Sequence, residues 1–298
     1  MNIEKRLACL FFLFLSFPSL LFGWGYETHK IINYYAAKTL PRQMENFRIH
    51  ADYLSLHASD PDNWKNFVPG EPVRHYIDLD AFDFEPFDDL PRKYEEFVEK
   101  YTAEEVEKNG TVPWTIIEYL DLMTVNMKKN RWPEVFACAY ALGHYVADAH
   151  QPLHLTMNYD GQLTGNTGIH ERYESTMINY HIGEIKIDKI AKIKYISNPI
   201  DFVFDFLIDG YSKIGVILDA DTRYKKYLEK EPEKYYELLW KDTKKITLEQ
   251  INKAVYALTC LWYTAWVNAG KPVIPKIKES KLLPTIENEI EWRRIRRN

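Results

Sequence analysis

The sequence predicts a single-domain, all-α protein. Most of the chain places apolar residues at the three- and four-residue spacing of amphipathic helices. Alternation typical of strands is confined to the segment 186–196 (KIDKIAKIKYI), which we interpret as an irregular excursion. No repeat, low-complexity stretch or Gly/Ser-rich linker divides residues 24–298, so we expect one helical domain over that range.

The first half of this domain contains five predicted helices. Residues 27–38 begin with an acid and a threonine, continue at helical spacing and stop before Pro41. Residues 42–57 also show helical spacing, and this predicted helix ends at the turn-rich segment ASDPDN. Three further helices are predicted at 92–108, 113–129 and 132–150. The last of these is strongly apolar and ends before Pro152, because proline breaks a helix interior.

A polar, glycine-bearing loop over 158–168 precedes the second half. Four helices are predicted after it, at 169–180, 199–217, 222–240 and 246–269. The last one opens with the capping signal Thr-Leu-Glu-Gln and ends at Gly270.

Residues 1–23 have the pattern of a secretory leader. Lys5 and Arg6 form a charged start, and residues 7–22 are almost uniformly apolar. This apolar run is shorter than the roughly 20 apolar residues that a helical membrane span needs. We therefore expect a cleaved leader and an exported protein, periplasmic or extracellular, with no transmembrane anchor after cleavage. Cleavage would give Trp24 a free α-amine, whose reference pKa of about 7.7–8.0 lets a metal displace its proton near neutral pH.

Composition excludes several classes of function. Hydrophobic residues at 46% and aromatic residues at 15% exclude a disordered chain. A formal net charge of −5 excludes a protein that coats polyanions through a basic surface, so an anionic substrate must be bound by the site itself. Cys9 belongs to the leader, while Cys138 and Cys260 lie in apolar helical patterns typical of buried thiols. The sequence leaves open whether these two pair.

The segment 144–154 (HYVADAHQPLH) carries the densest chemical signal. His144 and Asp148 are four residues apart on a predicted helix, so their side chains leave one face about 5–6 Å apart, within reach of one metal ion. An isolated carboxylate on an apolar helix is costly and needs a charge partner. Pro152 ends the helix and returns His154 to the same region. For one such pair alone, a hydrogen-bonded core His and Asp is the simpler alternative.

Further candidate ligands repeat this chemistry along the chain. They are His29, Asp60, Asp62, His75, His170 and Glu174. His170 and Glu174 again have the four-residue spacing, and His29 follows Trp24 by five residues. The remaining histidines have no matching partner pattern, and we interpret them as surface residues or as an outer layer around the site. They are His50, His57, His150 and His181.

Imidazole and carboxylate ligands without cysteine suit a hydrolytic zinc site better than a structural one. Three motifs carry a resemblance: Trp-x4-His from Trp24, His-Tyr-Ile-Asp from His75, and His-x3-Asp-x-His-Gln-Pro-Leu-His from His144. Together they resemble the superfamily that joins zinc-dependent phospholipase C with the S-one/P-one nucleases. The resemblance spans roughly residues 24–180 and implies a secreted, mostly helical protein built around three zinc ions.

The resemblance also implies the ligands of each zinc ion. One ion would be held by Asp60, His75, His144 and Asp148. A second would share Asp148 and add His29 with the amine and carbonyl oxygen of Trp24. The third would be held by His154, His170 and Glu174. We prefer Asp60 to its rival Asp62 because Asp60 directly follows two small residues, as the family acid tends to.

Either branch of the superfamily hydrolyses phosphate esters. The resemblance therefore implies a phosphodiester substrate, either phospholipid or single-stranded nucleic acid, and no obligate protein partner. In the implied mechanism Asp148 bridges two zinc ions that activate water, and Asp60 could act as general base.

The sequence around the third zinc site favours the phospholipase branch. The segment 168–175 (GIHERYES) is similar to the corresponding segment of that branch. The cysteines are too few for the disulfides common among the nucleases. We therefore expect phospholipase C-like activity before nuclease activity of the 3′-nucleotidase type. An exported zinc-binding protein without catalysis is the further alternative.

Tyr76 is the candidate substrate-binding residue. It directly follows His75, at a position where the nuclease branch places an aromatic ring against a base. Such stacking contributes about 1–3 kcal/mol per base. The same ring could instead hold a choline group through a cation–π contact.

Overall fold

Helices provide the regular secondary structure of residues 25–282, which are the residues that the computed structural model describes. No β-strand occurs in this range, so the predicted all-α fold is confirmed. The predicted leader, residues 1–23, and the predicted ligand Trp24 lie outside the described residues. Among the described helices, none combines the length and apolar composition that a membrane crossing requires.

The helices follow one another with short connections in most of the chain. The first eight are α1 Tyr26–Thr39, α2 Glu45–Arg48, α3 Ala51–Leu56, α4 Asp60–Trp64, α5 Tyr94–Tyr101, α6 Ala103–Lys108, α7 Val112–Lys128 and α8 Trp132–Asp148. The next five are α9 Ile169–Glu171, α10 Met177–His181, α11 Pro199–Tyr211, α12 Ile214–Tyr224 and α13 Pro232–Asn268. Site residues also come from 3₁₀ turns at Pro72–His75 and Pro152–Leu155 and from a π turn at Arg172–Thr176.

Several predicted helix boundaries differ from the structure, and in two places the reason is local. The predicted helix 92–108 is interrupted at Thr102, which has a φ of 69° and whose hydroxyl caps α6 by accepting from the Glu105 N–H. The predicted break between helices 222–240 and 246–269 does not occur. A single helix, α13, runs through both from Pro232 to Asn268. The capping signal is not used there, because the Thr247 hydroxyl donates to the Thr243 carbonyl inside the helix.

Helix α8 is the centre of the fold. Every residue from 135 to 150 is buried, and a helix that is apolar on all sides must be surrounded by other elements. Helix α7 packs beside it as the other arm of a helical hairpin, joined through a turn in which Asn130 has a φ of 55°. Helices α1, α3 and α13 also pack against α8.

A close approach of α1 to α8 positions the first candidate ligand. A Cβ atom at Gly143 would lie 2.1 Å from Asn33 Oδ1, so only glycine fits at this contact. The Asn33 side-chain amide in turn donates to the backbone carbonyl of His29 at 3.1 Å. The His29 ring consequently stacks on the ring of His144, with centroids 4.1 Å apart.

Candidate metal centre

Eight buried histidine and carboxylate side chains meet around the C-terminal end of α8. They are His29, Asp62, His75, His144, Asp148, His154, His170 and Glu174, and each is at most 6% exposed. They divide into two neighbouring sets. The Asp148 cluster comprises His29, Asp62, His75, His144 and Asp148. The Glu174 cluster comprises His154, His170 and Glu174. Of the predicted ligands within residues 25–282, only Asp60 lies outside both clusters.

Asp148 lies in the middle of the cluster named after it. Its Oδ2 atom is 2.8 Å from His75 Nδ1 and 3.1 Å from His144 Nε2. Its Oδ1 atom is 3.4 Å from His29 Nε2. The two oxygens of one carboxylate therefore face different imidazoles, which is the arrangement that a carboxylate shared between two ions needs.

The structure brings Asp62, and not the preferred Asp60, into the Asp148 cluster. Asp62 Oδ1 lies 3.6 Å from His144 Nε2 and 3.8 Å from His75 Nδ1. Asp60 is partly exposed and pairs with His57 Nδ1 at 2.7 Å. The physical reason is helical geometry, since residues two apart on α4 face nearly opposite sides. The structure therefore does not place Asp60 where it could act as a ligand or general base of this cluster.

The Glu174 cluster forms where α9 runs into the π turn. Glu174 Oε2 is 3.1 Å from His170 Nε2 and 3.5 Å from His154 Nε2. The same oxygen accepts a hydrogen bond from the Gln151 amide at 3.0 Å. The two imidazole rings stack with centroids 5.0 Å apart, so both nitrogens face one carboxylate.

Backbone carbonyl groups fix the tautomers of three imidazoles. The Nδ1 atoms of His144, His154 and His170 lie 2.9, 2.9 and 3.1 Å from carbonyl oxygens. A carbonyl oxygen can only accept, so each Nδ1 carries the proton and each Nε2 presents its lone pair to the cluster. This is the outer-layer support typical of metal-binding histidine.

Several atoms of the Asp148 cluster have no hydrogen-bond partner in the described part of the chain. They are both ring nitrogens of His29, Nε2 of His75 and Oδ1 of Asp148. Leaving a buried polar group unsatisfied costs about 1–3 kcal/mol. Three sets of ligand atoms lie within 4.8 Å of one another: His29 with Asp62 and His144, His75 with His144 and Asp148, and His154 with His170 and Glu174. The buried clusters could therefore hold metal ions.

The electrostatics of the two clusters favour ionised carboxylates. Burial alone would raise the pKa of Asp148, but its histidine neighbours hold that pKa well below the ordinary value. Burial would also raise the pKa of Glu174, but the neighbouring histidines lower it to about 2. Burial lowers the pKa of His29, whereas the carboxylates outweigh burial and raise the pKa values of His144 and His170. The acids are thus in their metal-binding form at neutral pH.

The structure locates two further predicted residues relative to these clusters. Tyr76 is half-buried, and its hydroxyl donates to the Lys108 carbonyl at 3.0 Å. Burial and the nearby Asp78 raise the pKa of Tyr76 to about 12, so the phenol stays protonated. Trp24 itself is outside the described range, but the next residue, Gly25, donates its N–H to the Glu174 carbonyl at 3.1 Å. The described chain therefore begins beside the metal centre.

The remaining histidines and the cysteines do not join the centre. His50, His150 and His181 are at most 4% exposed and pack against aromatic rings, so the surface interpretation is wrong for these three. An imidazole ring is apolar enough on its faces to pack in this way. Cys138 and Cys260 are buried and no disulfide joins them.

A pair of variants tests the placement of the two aspartates. We expect Asp62→Asn to weaken metal binding by the Asp148 cluster at least about 100-fold, since loss of an outer-layer partner alone costs about 10–100-fold. Asp60→Asn makes the same chemical change two residues away and removes only a partly exposed pair with His57. It should leave metal content unchanged. Elemental analysis after dialysis against a weak chelator measures both, and the reverse pattern would restore Asp60 as the ligand.

The donor set limits what the centre can bind. All donors are imidazole nitrogens and carboxylate oxygens, which suits zinc and similar divalent ions. Two of the three sets share His144, and Asp148 contacts ligands of both, so ions held there would be neighbours. A comparison of the chain with models of known protein families gave no match, and a comparison with curated proteins gave none either.

Proposed function

We propose that this protein is an exported, zinc-dependent phosphoric ester hydrolase of the phospholipase C type. The observation that carries the proposal is the buried Asp148 carboxylate, which contacts His29, His75 and His144 and has the Glu174 cluster as its neighbour. Grouped ions around a shared carboxylate suit displacement at phosphorus, because they can stabilise both attacking and leaving oxygens.

Three zinc ions fit the ligands that the chain offers. Asp62, His75, His144 and Asp148 would hold the first. His29 and Asp148, with the amine and carbonyl oxygen of Trp24, would hold the second. His154, His170 and Glu174 would hold the third. The unpartnered buried atoms of His29 and Asp148 support this fit, since a metal ion would satisfy them.

Zinc bound in this way would supply Lewis acidity toward a phosphate ester and lower the pKa of water toward about 7. The carboxylates of the chain determine the net charge of the centre. Three carboxylates, Asp62, Asp148 and Glu174, do not fully neutralise three divalent ions, so the loaded centre keeps positive charge. This would bind an anionic phosphodiester despite the negative net charge of the chain.

Exposed apolar side chains next to the Glu174 cluster favour a lipid substrate. Met157, Tyr159 and Leu163 are 40%, 39% and 69% exposed and lie on the loop whose Tyr159 carbonyl accepts the Nδ1–H of His170. Apolar surface beside a site for phosphate suits a substrate whose phosphodiester is attached to acyl chains.

Tyr76 supports nuclease activity as the second candidate function. Its half-buried ring follows the ligand His75 directly and could stack on a base. The same position could accept a choline group, so this residue supports either substrate.

A parallel assay separates the candidates. The secreted protein, with and without chelator, is incubated with phosphatidylcholine vesicles and with single-stranded DNA. We expect chelator-sensitive release of phosphocholine. Chelator-sensitive nucleotide release with intact lipid would establish the nuclease alternative instead, and zinc binding without turnover of either would favour a non-catalytic zinc protein.

The proposed amino-terminal ligand gives a further prediction. A protein that keeps one residue before Trp24 should lose one zinc ion and about 10–100-fold in activity, because an amide nitrogen cannot replace a free amine as ligand. The matched control is the protein that begins at Trp24, prepared and loaded identically. Three zinc ions and full activity in the extended protein would refute the amino-terminal ligand without affecting the ligands described above.

A further inference from the structure

His75 differs from the other ligand histidines in the way its outer nitrogen is held. Its Nδ1 atom faces Asp148, whereas the ligands fixed by backbone carbonyls present Nε2. The outer nitrogen of His75, Nε2, points toward a carboxylate, with Glu71 Oε1 at 3.5 Å. This contact is within ion-pair distance, and no atom of residues 25–282 forms a standard hydrogen bond with His75 Nε2.

Glu71 is a fully buried acid outside the three sets of candidate metal ligands. The hydroxyl of Tyr145 donates a short hydrogen bond to Oε1, and the guanidinium of Arg74 lies 3.7 Å from Oε2. Burying a carboxylate is costly unless specific partners compensate. These two partners hold the carboxylate in one orientation, with one oxygen toward His75.

The backbone places this acid on the turn that carries the ligand. Glu71 immediately precedes the 3₁₀ turn Pro72–His75, and its carbonyl accepts the N–H of Arg74 at 3.0 Å. Pro72 restricts the backbone at the start of this turn. The acid and the histidine it faces are therefore fixed by the same five-residue segment, 71–75.

We propose that Glu71 is a positioning residue for the metal centre. It accepts the Nε2–H of His75, keeps the Nδ1 lone pair directed at the Asp148 cluster and raises the basicity of that ligand, as outer carboxylates do for metal-binding histidine. Arg74 and Tyr145 act through Glu71 by holding it in place. The inference rests on the metal binding in the proposed function and is independent of the substrate.

A cobalt titration of the full-length mature protein tests the role of Glu71. Metal-free wild type and Glu71→Gln are titrated with Co²⁺ against a competing chelator, and the visible d–d absorption is recorded. We expect Glu71→Gln to weaken binding at the His75 site about 10–100-fold and to change the spectrum of that site. Wild-type affinity together with a wild-type spectrum would overturn the proposal.

Glu118→Gln is the matched control. Glu118 binds the same guanidinium, at 2.8 Å from Arg74 Nη2, but its side chain is 37% exposed, whereas that of Glu71 is fully buried. This variant should keep both the affinity and the spectrum, so an equal loss in both variants would mean that Arg74, and not Glu71, determines the effect. That outcome also overturns the proposal.

A second variant keeps the test decisive if Glu71→Gln does not fold. Tyr145→Phe retains the ring but removes the hydroxyl that restrains Glu71, and it should weaken cobalt binding several-fold. Unchanged binding in this variant would then overturn the proposal. Lack of turnover on lipid and DNA with weakened cobalt binding would refute only the proposed function, so the two failures are distinguishable.

Discussion

Asp148→Asn is expected to reduce the zinc content of the proposed three-zinc centre from three ions to one. Asp148 faces His75 and His144 with one oxygen and His29 with the other, so its loss would affect both ions proposed for the Asp148 cluster. Asparagine has nearly the same volume and keeps the packing of α8, but a neutral amide cannot bridge two cations. The Glu174 cluster should keep its ion.

The comparison variant is Glu174→Gln, which makes the same change in the other cluster. Because Glu174 contacts only His154 and His170 among the candidate ligands, this variant should lose one ion. Elemental analysis and zinc titration count the ions in each variant. If Asp148→Asn also lost only one ion, Asp148 would be an ordinary terminal ligand and the shared-carboxylate interpretation would be wrong.

Activity should fall more in Asp148→Asn than in Glu174→Gln. Metal ions contribute several kcal/mol of transition-state stabilisation, and about 1.4 kcal/mol corresponds to a tenfold change in rate. We therefore expect a loss of at least about 10³-fold in kcat/KM for Asp148→Asn. The measurement uses phosphatidylcholine vesicles with zinc held at a fixed free concentration. A loss below tenfold at full zinc occupancy would separate Asp148 from catalysis.

The parts of the centre that the sequence predicts are those governed by local geometry. The pairs His144 with Asp148 and His170 with Glu174 have the four-residue helical spacing, and both pairs meet in the structure at 3.1 Å. Which elements meet in space depends on packing, such as the contact at Gly143 that brings His29 onto His144. The sequence alone does not encode that contact in a readable pattern.

The choice between Asp60 and Asp62 shows where local reasoning failed. Proximity to small residues favoured Asp60, but the i, i+3 spacing of His57 and Asp60 was already a sign that Asp60 has its own partner. Glu71 and His75 are four residues apart, as His144 and Asp148 are, but Pro72 between them obscures this signal because it excludes a regular helix. For both Asp62 and Glu71, the sequence therefore contained a spacing that pointed to the correct role, but a neighbouring feature pointed elsewhere.

The helical fold was predictable because its periodicity is strong, but the helix ends were set by interactions beyond the pattern. Thr102 stops one helix by adopting a positive φ, and Thr247 bonds within α13 instead of starting a new helix. The role of the C-terminal third was also not evident from its sequence, which resembles the superfamily only in being helical. In the structure, α12 and α13 support the segment that carries the Glu174 cluster.

Asp221→Asn is expected to destabilise the protein by about 3–5 kcal/mol, because removing one partner leaves a buried charge uncompensated. Arg172 lies between the ligands His170 and Glu174 and donates to Asp221 Oδ1 at 2.9 Å. Asp221 is fully buried on α12 and also accepts from Tyr235 of α13. Thermal unfolding of the metal-free protein should show the loss, at roughly 2–4 °C per kcal/mol for a chain of this size.

Asp219→Asn provides the matched control on the same helix. Asp219 is exposed two residues earlier on α12, so this variant should change stability by no more than about 0.5 kcal/mol. Equal effects of the two variants would mean that a general charge effect, and not the pair with Arg172, explains the result.

The double variant Arg172→Met, Asp221→Leu separates stability from positioning. Replacing a buried ion pair by apolar side chains of similar size often restores stability, so the thermal midpoint should recover toward wild type. Zinc affinity of the Glu174 cluster should stay reduced, because Arg172 also donates to the carbonyl groups of Asn166 and Thr167 in the adjoining loop. If zinc affinity recovered together with the midpoint, the pair would serve folding alone. If only the midpoint recovers, Arg172 holds the ligands in place through its hydrogen bonds to this loop.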